Sequence, residues 1–393
     1  VGPRPQRARW FSSRYLAEIW AKPPARALAI LGAIAVIGLL IFVFASGQET
    51  TTFSGTDFTA APKSGVTVNS NGTAQLTAVT GTGNSCGTMT GAHTFSHVIV
   101  IMEENSSFSS IYKSSSAPFI NTLMQSCSAW QAAGATDPSE PNYQAATQGY
   151  FGNEKGNCIQ CSSNSDNIFH ALDAAGKSWA AVEETMPGPC SGSTAFPYKR
   201  GHNPPYWMTD LTASGDGSCA QNDLPGSTLP KTLPALTWVT PNMCDDMHWQ
   251  TGSAGDCGKY LGVADTATQR FTVGDNWLKN FLNTQVFTRA DYQAGQDLVI
   301  LTWDEGNEGG SVSYQDCTTT ANYTAHNSCQ ITTVLIDPYA KGGTVVWSSG
   351  KTLYSHYSIL KTMEKELGVT INPKPSPVPQ FWNSYLNAPL LPD

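Results

Sequence analysis

Basic residues are scarce in this chain, and most of its length has fewer than the totals imply. There are 22 Lys and Arg against 30 Asp and Glu in 393 residues. Six of the basic residues (Arg4, Arg7, Arg9, Arg14, Lys22 and Arg26) crowd into positions 1–27 beside one acid, Glu18. The remainder carries 16 basic and 29 acidic side chains, a net charge of −13. Such a surface excludes nucleic acid and anionic lipid as main electrostatic partners, because both are negative themselves. No internal repeat is present, which excludes solenoids and propellers. Cys158-Ile159-Gln160-Cys161 has no second CxxC to complete a structural zinc site.

Long apolar runs are equally few, but one is decisive. Residues 27–45 are uncharged, apolar and long enough to cross a bilayer as a helix. The basic arm before them places the N-terminus in the cytoplasm and the rest of the chain outside. A cleaved signal peptide is the alternative, since Val43-Phe44-Ala45 fits a small-residue cleavage site. The expected organisation is a basic cytoplasmic arm (1–26), a transmembrane anchor or signal (27–46), a Thr/Ser/Gly-rich stalk (47–92) and a folded domain (93–393). Ten cysteines all follow the apolar run, an even number in an oxidising compartment, and read as disulfides. Cys244–Cys257 and Cys317–Cys329 close short loops and are natural pairs.

From residue 97 onward, apolar strands alternate with helical patterns. The expected fold class is therefore α/β, with a mostly parallel central sheet flanked by helices. Strands are predicted at 97–102, 179–183, 236–240, 298–303 and 332–336, and helices at 117–127, 167–175, 273–287 and 356–367. Asp275 then falls at a helix start, as an N-terminal cap or dipole partner. The Pro/Gly/Ser-rich stretch 185–232 reads as a long excursion over the ligand face. A Pro-rich tail, 373–393, is expected to lie on the domain.

Two buried strands stop on oxygen-bearing side chains. Val98-Ile99-Val100-Ile101-Met102 runs into Glu103-Glu104-Asn105, and Leu298-Val299-Ile300-Leu301-Thr302-Trp303 runs into Asp304-Glu305. Ligands of open α/β sheets bind just beyond such strand ends, and these oxygens suit a hard divalent cation. Between them in sequence lies Thr136-Asp137-Pro138-Ser139-Glu140-Pro141-Asn142-Tyr143, with a helix predicted to begin near Pro141. Ser139 there is either a simple N-cap or a hydroxyl poised at the positive end of a helix, where phosphate binds. Beside a cation such a hydroxyl becomes a nucleophile.

Taken together, these segments resemble a known family. Ile99–Phe108 is similar to the opening motif of the bacterial phosphoesterases that include acid phosphatases and phospholipases C, within the alkaline phosphatase superfamily. Pro138-Ser139-Glu140-Pro141-Asn142-Tyr143 resembles the nucleophile segment of the small phosphatase branch. Trp303-Asp304-Glu305-Gly306, Thr240-Pro241-Asn242-Met243-Cys244-Asp245-Asp246-Met247-His248, Gly201-His202-Asn203-Pro204-Pro205 and Ser355-His356-Tyr357-Ser358 also match. The likeness spans roughly residues 95–370 and makes 93–393 a phosphoesterase catalytic domain with an alkaline-phosphatase-like fold.

Carried over position by position, the resemblance implies that Glu104, Asn105, Asp304 and Glu305 hold a cation, with Ser139 completing its shell. Oxygen ligands favour Ca²⁺, Mg²⁺ or Mn²⁺, while the two-metal members of the superfamily use zinc, so one or two divalent ions remain open. Asp246 and His248, with His356, either form a second metal site or bind the phosphoryl oxygens and protonate the leaving group. His202 either braces its loop or contacts phosphate, and Tyr143, Tyr206 and Trp207 line the pocket or pack in the core. Asn105-Ser106-Ser107-Phe108-Ser109 lacks the Arg and Asp typical of the phospholipase C branch, which favours the compact phosphatases. Glu140 is expected to point outward. The implied function is an extracytoplasmic, metal-dependent phosphomonoesterase acting through a phosphoserine, on a small phosphate ester or a phospholipid head group. The alternatives are a phosphodiesterase or phospholipase C, and a non-catalytic binding or adhesion domain.

Overall fold

The computed structural model describes residues 86–150, 157, 162–307, 316–343, 345–348 and 353–371, with the strand backbone of 66–68 and 74–76. The basic arm, the apolar run 27–46, Cys158, Cys161 and the tail 373–393 lie outside the described residues. Among those described, no helix is long and apolar enough to cross a membrane. Within the segment read as a stalk, β1 (Val66–Val68) and β2 (Ala74–Leu76) pair as an antiparallel ribbon. Cys86, also in that segment, is buried and disulfide-bonded to Cys127, so the packed domain reaches back at least to residue 86.

The eight remaining strands are β3 (His97–Glu103), β4 (Ser128–Ala133), β5 (Trp179–Glu183), β6 (Asp223–Pro225), β7 (Leu236–Thr240), β8 (Asp297–Trp303), β9 (Gln330–Ile336) and β10 (Val345–Trp347). They form one sheet in the order β10-β4-β9-β8-β3-β7-β5-β6. Every neighbouring pair is parallel except the two made by β9, which runs against β4 and β8. The mixed α/β sheet with flanking helices is thus mostly parallel, as expected. β3 and β8 are apolar on both faces because helices cover both sides, and only His97 among their residues escapes full burial. Glu103 pairs with Trp303 in register, so Glu104 and Asp304 emerge side by side at the carboxyl edge.

The helix predicted at 273–287 begins earlier, at Ala267, behind a Thr266 cap, and runs to Phe281 before a π-helical turn, Leu282–Val286. Asp275 is therefore mid-helix. Its carboxylate instead accepts hydrogen bonds from the backbone N–H groups of Phe119 (3.0 Å) and Ile120 (2.8 Å), capping the helix Pro118–Ser126 from outside. Its neighbour Gly274 matters to the site. A Cβ there would lie 2.5 Å from Met247 Cγ, so only glycine lets this helix press against the 245–248 loop. That loop is fixed from its other side by the expected disulfide Cys244–Cys257. Cys317–Cys329 forms as expected too, and Cys190–Cys219 is a further bond.

Candidate active site

Most of the polar residues of interest issue from the carboxyl edge of the sheet, after β3, β4, β7 and β8, while His202 comes from the excursion after β5 and His356 from the helix that follows β10. Strand alternation sends Glu103 and Glu104 to opposite faces. Glu103 turns toward Asp245, Glu184 and Asp275, and burial with those charges raises its pKa well above the ordinary carboxylate value. Glu104 turns the other way and becomes the hub of the site. Its Oε1 accepts from Tyr143 Oη (2.8 Å) and lies 3.2 Å from His202 Nε2. Its Oε2 accepts from Asn105 Nδ2 (2.6 Å) and Ser139 Oγ (3.2 Å), and lies 3.1 Å from His248 Nδ1.

Ser139 opens the helix Ser139–Gln148 as its first residue, while Pro138 occupies the cap position without any side-chain cap bond. The hydroxyl is thus not used as a cap. It is buried, and its Oγ points at Glu104 Oε2 and at Glu305 Oε1 (3.5 Å). The turn that presents it is braced by Asn142. That side chain accepts from the N–H of Ala135 (2.8 Å) and Thr136 (3.0 Å), and donates to Thr136 O (2.9 Å) and to Glu305 Oε2 (3.3 Å). Glu140, expected to face outward, is buried, with its carboxylate near Gly201. The helix start is tucked beneath the 200–203 turn, which leaves that side chain no route to solvent.

Asn105 adopts a left-handed φ of 43°, tolerable for Asn. Its N–H donates to Asp304 Oδ1 (2.8 Å). Its Nδ2 faces Glu104, Ser139 (3.4 Å) and His248 (3.0 Å), and a half-turn of the amide presents the oxygen a cation needs. From the β7 side, Asp246 Oδ1 accepts from the N–H of His248 (2.7 Å). His202 lies on the turn Arg200–His202, held by Thr240 Oγ1 donating to its carbonyl (3.2 Å). Its Nδ1 is 3.8 Å from Asp246 Oδ2. Glu104, Asn105, Ser139, His202, Asp246, His248, Asp304 and Glu305 therefore converge.

His356 does not join them as an open catalytic group. It is fully buried at the start of the helix His356–Leu367. Its Nδ1 accepts from the N–H of Ala135 (3.2 Å), and its Nε2 meets the carbonyl of Trp303 (2.9 Å). Both nitrogens are committed to backbone, and burial lowers its pKa to about 4. It is a neutral brace tying β8 to the turn that presents Ser139.

The electrostatics call for a cation. Burial, then mutual repulsion, raises Asp246, Asp304 and Glu305 well above the usual carboxylate range. Glu104 rises to about 7 through burial, with the bonds from Tyr143 and Asn105 opposing the rise. Burial holds His202 well below its ordinary value and His248 at about 4, so neither supplies positive charge at neutral pH. Among the described residues no Lys or Arg pairs with these four carboxylates. One oxygen each of Asp246 and Asp304 is buried with no hydrogen-bond partner. Orphaned, like-charged oxygens in a dry site fit a divalent cation. Tighter three-donor groups occur elsewhere. At Cys190, Cys219 and Asp223 the sulfurs are already joined, and the other group is His97, Asp291 and Asp297.

Residues of the 185–232 stretch, among them Arg200, Tyr206, Trp207 and Thr209, line a cavity of about 600 Å³. Arg200 lies over the Tyr206 ring (5.5 Å), and Trp207 packs edge-on against Tyr143. Tyr143 is therefore more than lining, and Asn142, to which the sequence assigns no role, braces the Ser139 turn. The Pro-Asn-Tyr run marked both, since a helix start that must hold a loop needs amide and hydroxyl donors.

Fold and site together define an α/β enzyme whose chemistry lies at the carboxyl ends of its strands. The chain belongs to the phosphoesterase family, whose model matches residues 109–370, and it is a phosphoric-ester hydrolase. It is 30% identical over 286 residues to the phosphatidylinositol-3-phosphatase of Mycobacterium tuberculosis (strain ATCC 25618 / H37Rv), covering 70% of this chain and 78% of that protein. It is 25% identical over 256 residues to the acid phosphatase of Aspergillus fumigatus, covering 60% of this chain and 46% of that longer one. Among solved structures, an alkaline phosphatase superfamily protein of Vibrio parahaemolyticus aligns with a TM-score of 0.46 at 10% identity. That alignment covers 70% of this chain and 67% of the other, and at that level it says nothing of chemistry.

Proposed function

We propose that this chain is an extracytoplasmic, metal-dependent phosphomonoesterase that works through a phosphoserine at Ser139. The observation that carries the reading is the Ser139 hydroxyl, uncapped at a helix N-terminus and aimed at two carboxylates. Glu104, Asp304 and Glu305, with the Asn105 amide and Ser139 Oγ, are the residues that would hold a divalent ion, which supplies polarisation of the phosphoryl oxygen when bound. The helix dipole at Ser139 favours the same negative charge. Ser139 Oγ bonds to phosphorus as the ester oxygen leaves. Ser139 Oγ and His248 Nδ1 meet the same Glu104 Oε2, at 3.2 and 3.1 Å, which places the imidazole beside the serine to take its proton. His248 keeps 29% of its side chain exposed, against 3% for His202, and is the better donor to a departing alkoxide. Water then cleaves the phosphoserine with the proton path reversed.

Four disulfides among the described residues support an oxidising compartment, as does the apolar run 27–45. The relative named for phosphatidylinositol 3-phosphate makes a phosphoinositide monoester head group a substrate to include beside small esters. The test compares p-nitrophenyl phosphate, phosphatidylinositol 3-phosphate and bis-p-nitrophenyl phosphate, before and after chelation. Monoesters should be cleaved at least tenfold faster than the diester, with activity lost on chelation and restored by a divalent ion. A preferred diester overturns the monoesterase reading, and a fully active metal-free sample overturns the metal.

A further inference from the structure

At the opposite edge of the sheet, β3 and β8 begin with a histidine and an aspartate in register, His97 beside Asp297. His97 Nδ1 and Asp297 Oδ1 are 2.8 Å apart. The short helix Ala290–Gln293 precedes β8 and is tied to it by Gln296 N–H donating to Asp291 O (2.9 Å), which brings a second aspartate to the same spot. One donor atom each from His97, Asp291 and Asp297 lies within 4.8 Å of the other two.

Asp297 has no exposed surface, and its Oδ2 is buried without a hydrogen-bond partner. A single imidazole therefore serves a carboxylate that has a second lone oxygen in a dry place. Arg289 does not relieve it. The guanidinium sits 3.5 Å from Asp291 Oδ2 and is otherwise held by the carbonyls of Pro230 and Lys231. His97 keeps 20% of its side chain exposed, which leaves an entry path.

We propose that His97, Asp291 and Asp297 bind a divalent cation of borderline softness, with zinc the best match, at the amino edge of the sheet. One imidazole nitrogen and two carboxylate oxygens make a mixed donor set suited to zinc rather than to calcium or magnesium, with water left to complete four-coordination. The seven-residue strands β3 and β8 separate this site from Glu104 and Asp304 by roughly 20 Å at about 3.3 Å per residue. Its role is to clamp the starts of the two central strands to the preceding turn. It does not depend on the reading of the catalytic centre.

The test uses the metal-stripped full chain carrying Glu305→Gln to weaken the catalytic cation site. Zinc is titrated by calorimetry and bound zinc is counted after gel filtration, with Tm recorded throughout. The expected result is one zinc per chain at the new site and a zinc-dependent rise in Tm. His97→Gln and Asp291→Asn, both at partly exposed positions, should each weaken that binding at least tenfold, and His97→Cys should retain it. In the chain with Glu305 intact, His97→Gln should leave p-nitrophenyl phosphate turnover unchanged. Zinc binding that is absent from the parent, or equal in parent and His97→Gln, overturns the proposal and leaves His97–Asp297 an ion pair only. Should His97→Gln prove unfolded by circular dichroism, equal binding in parent and Asp291→Asn overturns it in the same way.

Discussion

Replacing Tyr143 with Phe removes one hydroxyl and leaves the ring, so it isolates the single bond that Tyr143 makes to Glu104 Oε1 at 2.8 Å. That bond is wholly buried and ends on a carboxylate whose other Oε1 neighbour is His202. A hydrogen bond to a charged group is worth about 2 kcal/mol. At about 2–4 °C per kcal/mol for a large domain, Tm should fall by roughly 4–8 °C. The second consequence is electrostatic. Burial raises Glu104 to about 7, and the Tyr143 bond is the largest influence holding it down. Without it Glu104 keeps its proton to higher pH. The acid limb of kcat/KM for p-nitrophenyl phosphate should move up by roughly one and a half units, since about 1.36 kcal/mol corresponds to one pKa unit. Divalent-ion affinity at pH 6 should weaken at least about tenfold in step, because protons and cation compete for the same oxygens. A variant with wild-type Tm and an unmoved acid limb would refute Glu104 as the hub.

Two further outcomes concern stability. Asp223 is buried beside Glu183, and burial raises it from 3.8 to about 7. An acid that holds its proton more tightly when folded contributes stability below pH 3.8 and loses it as pH rises toward 7, by at most about 4 kcal/mol. In urea unfolding, Asp223→Asn should flatten the fall in stability between pH 5 and 7.5, and an unchanged slope would count against the assignment. Asp275→Ala should cost about 1–2 kcal/mol by uncapping the helix Pro118–Ser126, with catalysis unchanged. A neutral result there would mean that water replaces the cap.

The central strands were legible because β3 and β8 are buried on both faces, and such strands must be written in Val, Ile and Leu. β4 was not, because Ser128–Ala133 is rich in alanine and takes its strand identity from pairing with β9. The start of the helix at Ala267 was misplaced, since Gly274 and Asp275 look like a helix boundary. Both are mid-helix residues chosen for a neighbour, Gly274 for the close approach of Met247 and Asp275 for another helix's N-terminus. In the site, the resemblance to the phosphoesterase motifs pointed to Glu104, Ser139, Asp304 and Glu305, since the residues alone left an N-cap role open for Ser139 and did not separate Glu104 from Glu103. It did not separate an open histidine from a bracing one. The difference between His248 and His356 lies in which backbone groups surround each ring, and that is decided by tertiary packing.

The central claim is that Ser139 is the nucleophile, and turnover of p-nitrophenyl phosphate by Ser139→Ala tests it most directly. The substitution removes only the Oγ, leaving Glu104, Asp304 and Glu305 in place. The account predicts a fall in kcat of at least about 10³-fold, equivalent to about 4 kcal/mol in the barrier, with divalent-ion binding and Tm near those of the parent. A Ser139→Ala enzyme that turns over at close to the parental rate would contradict it.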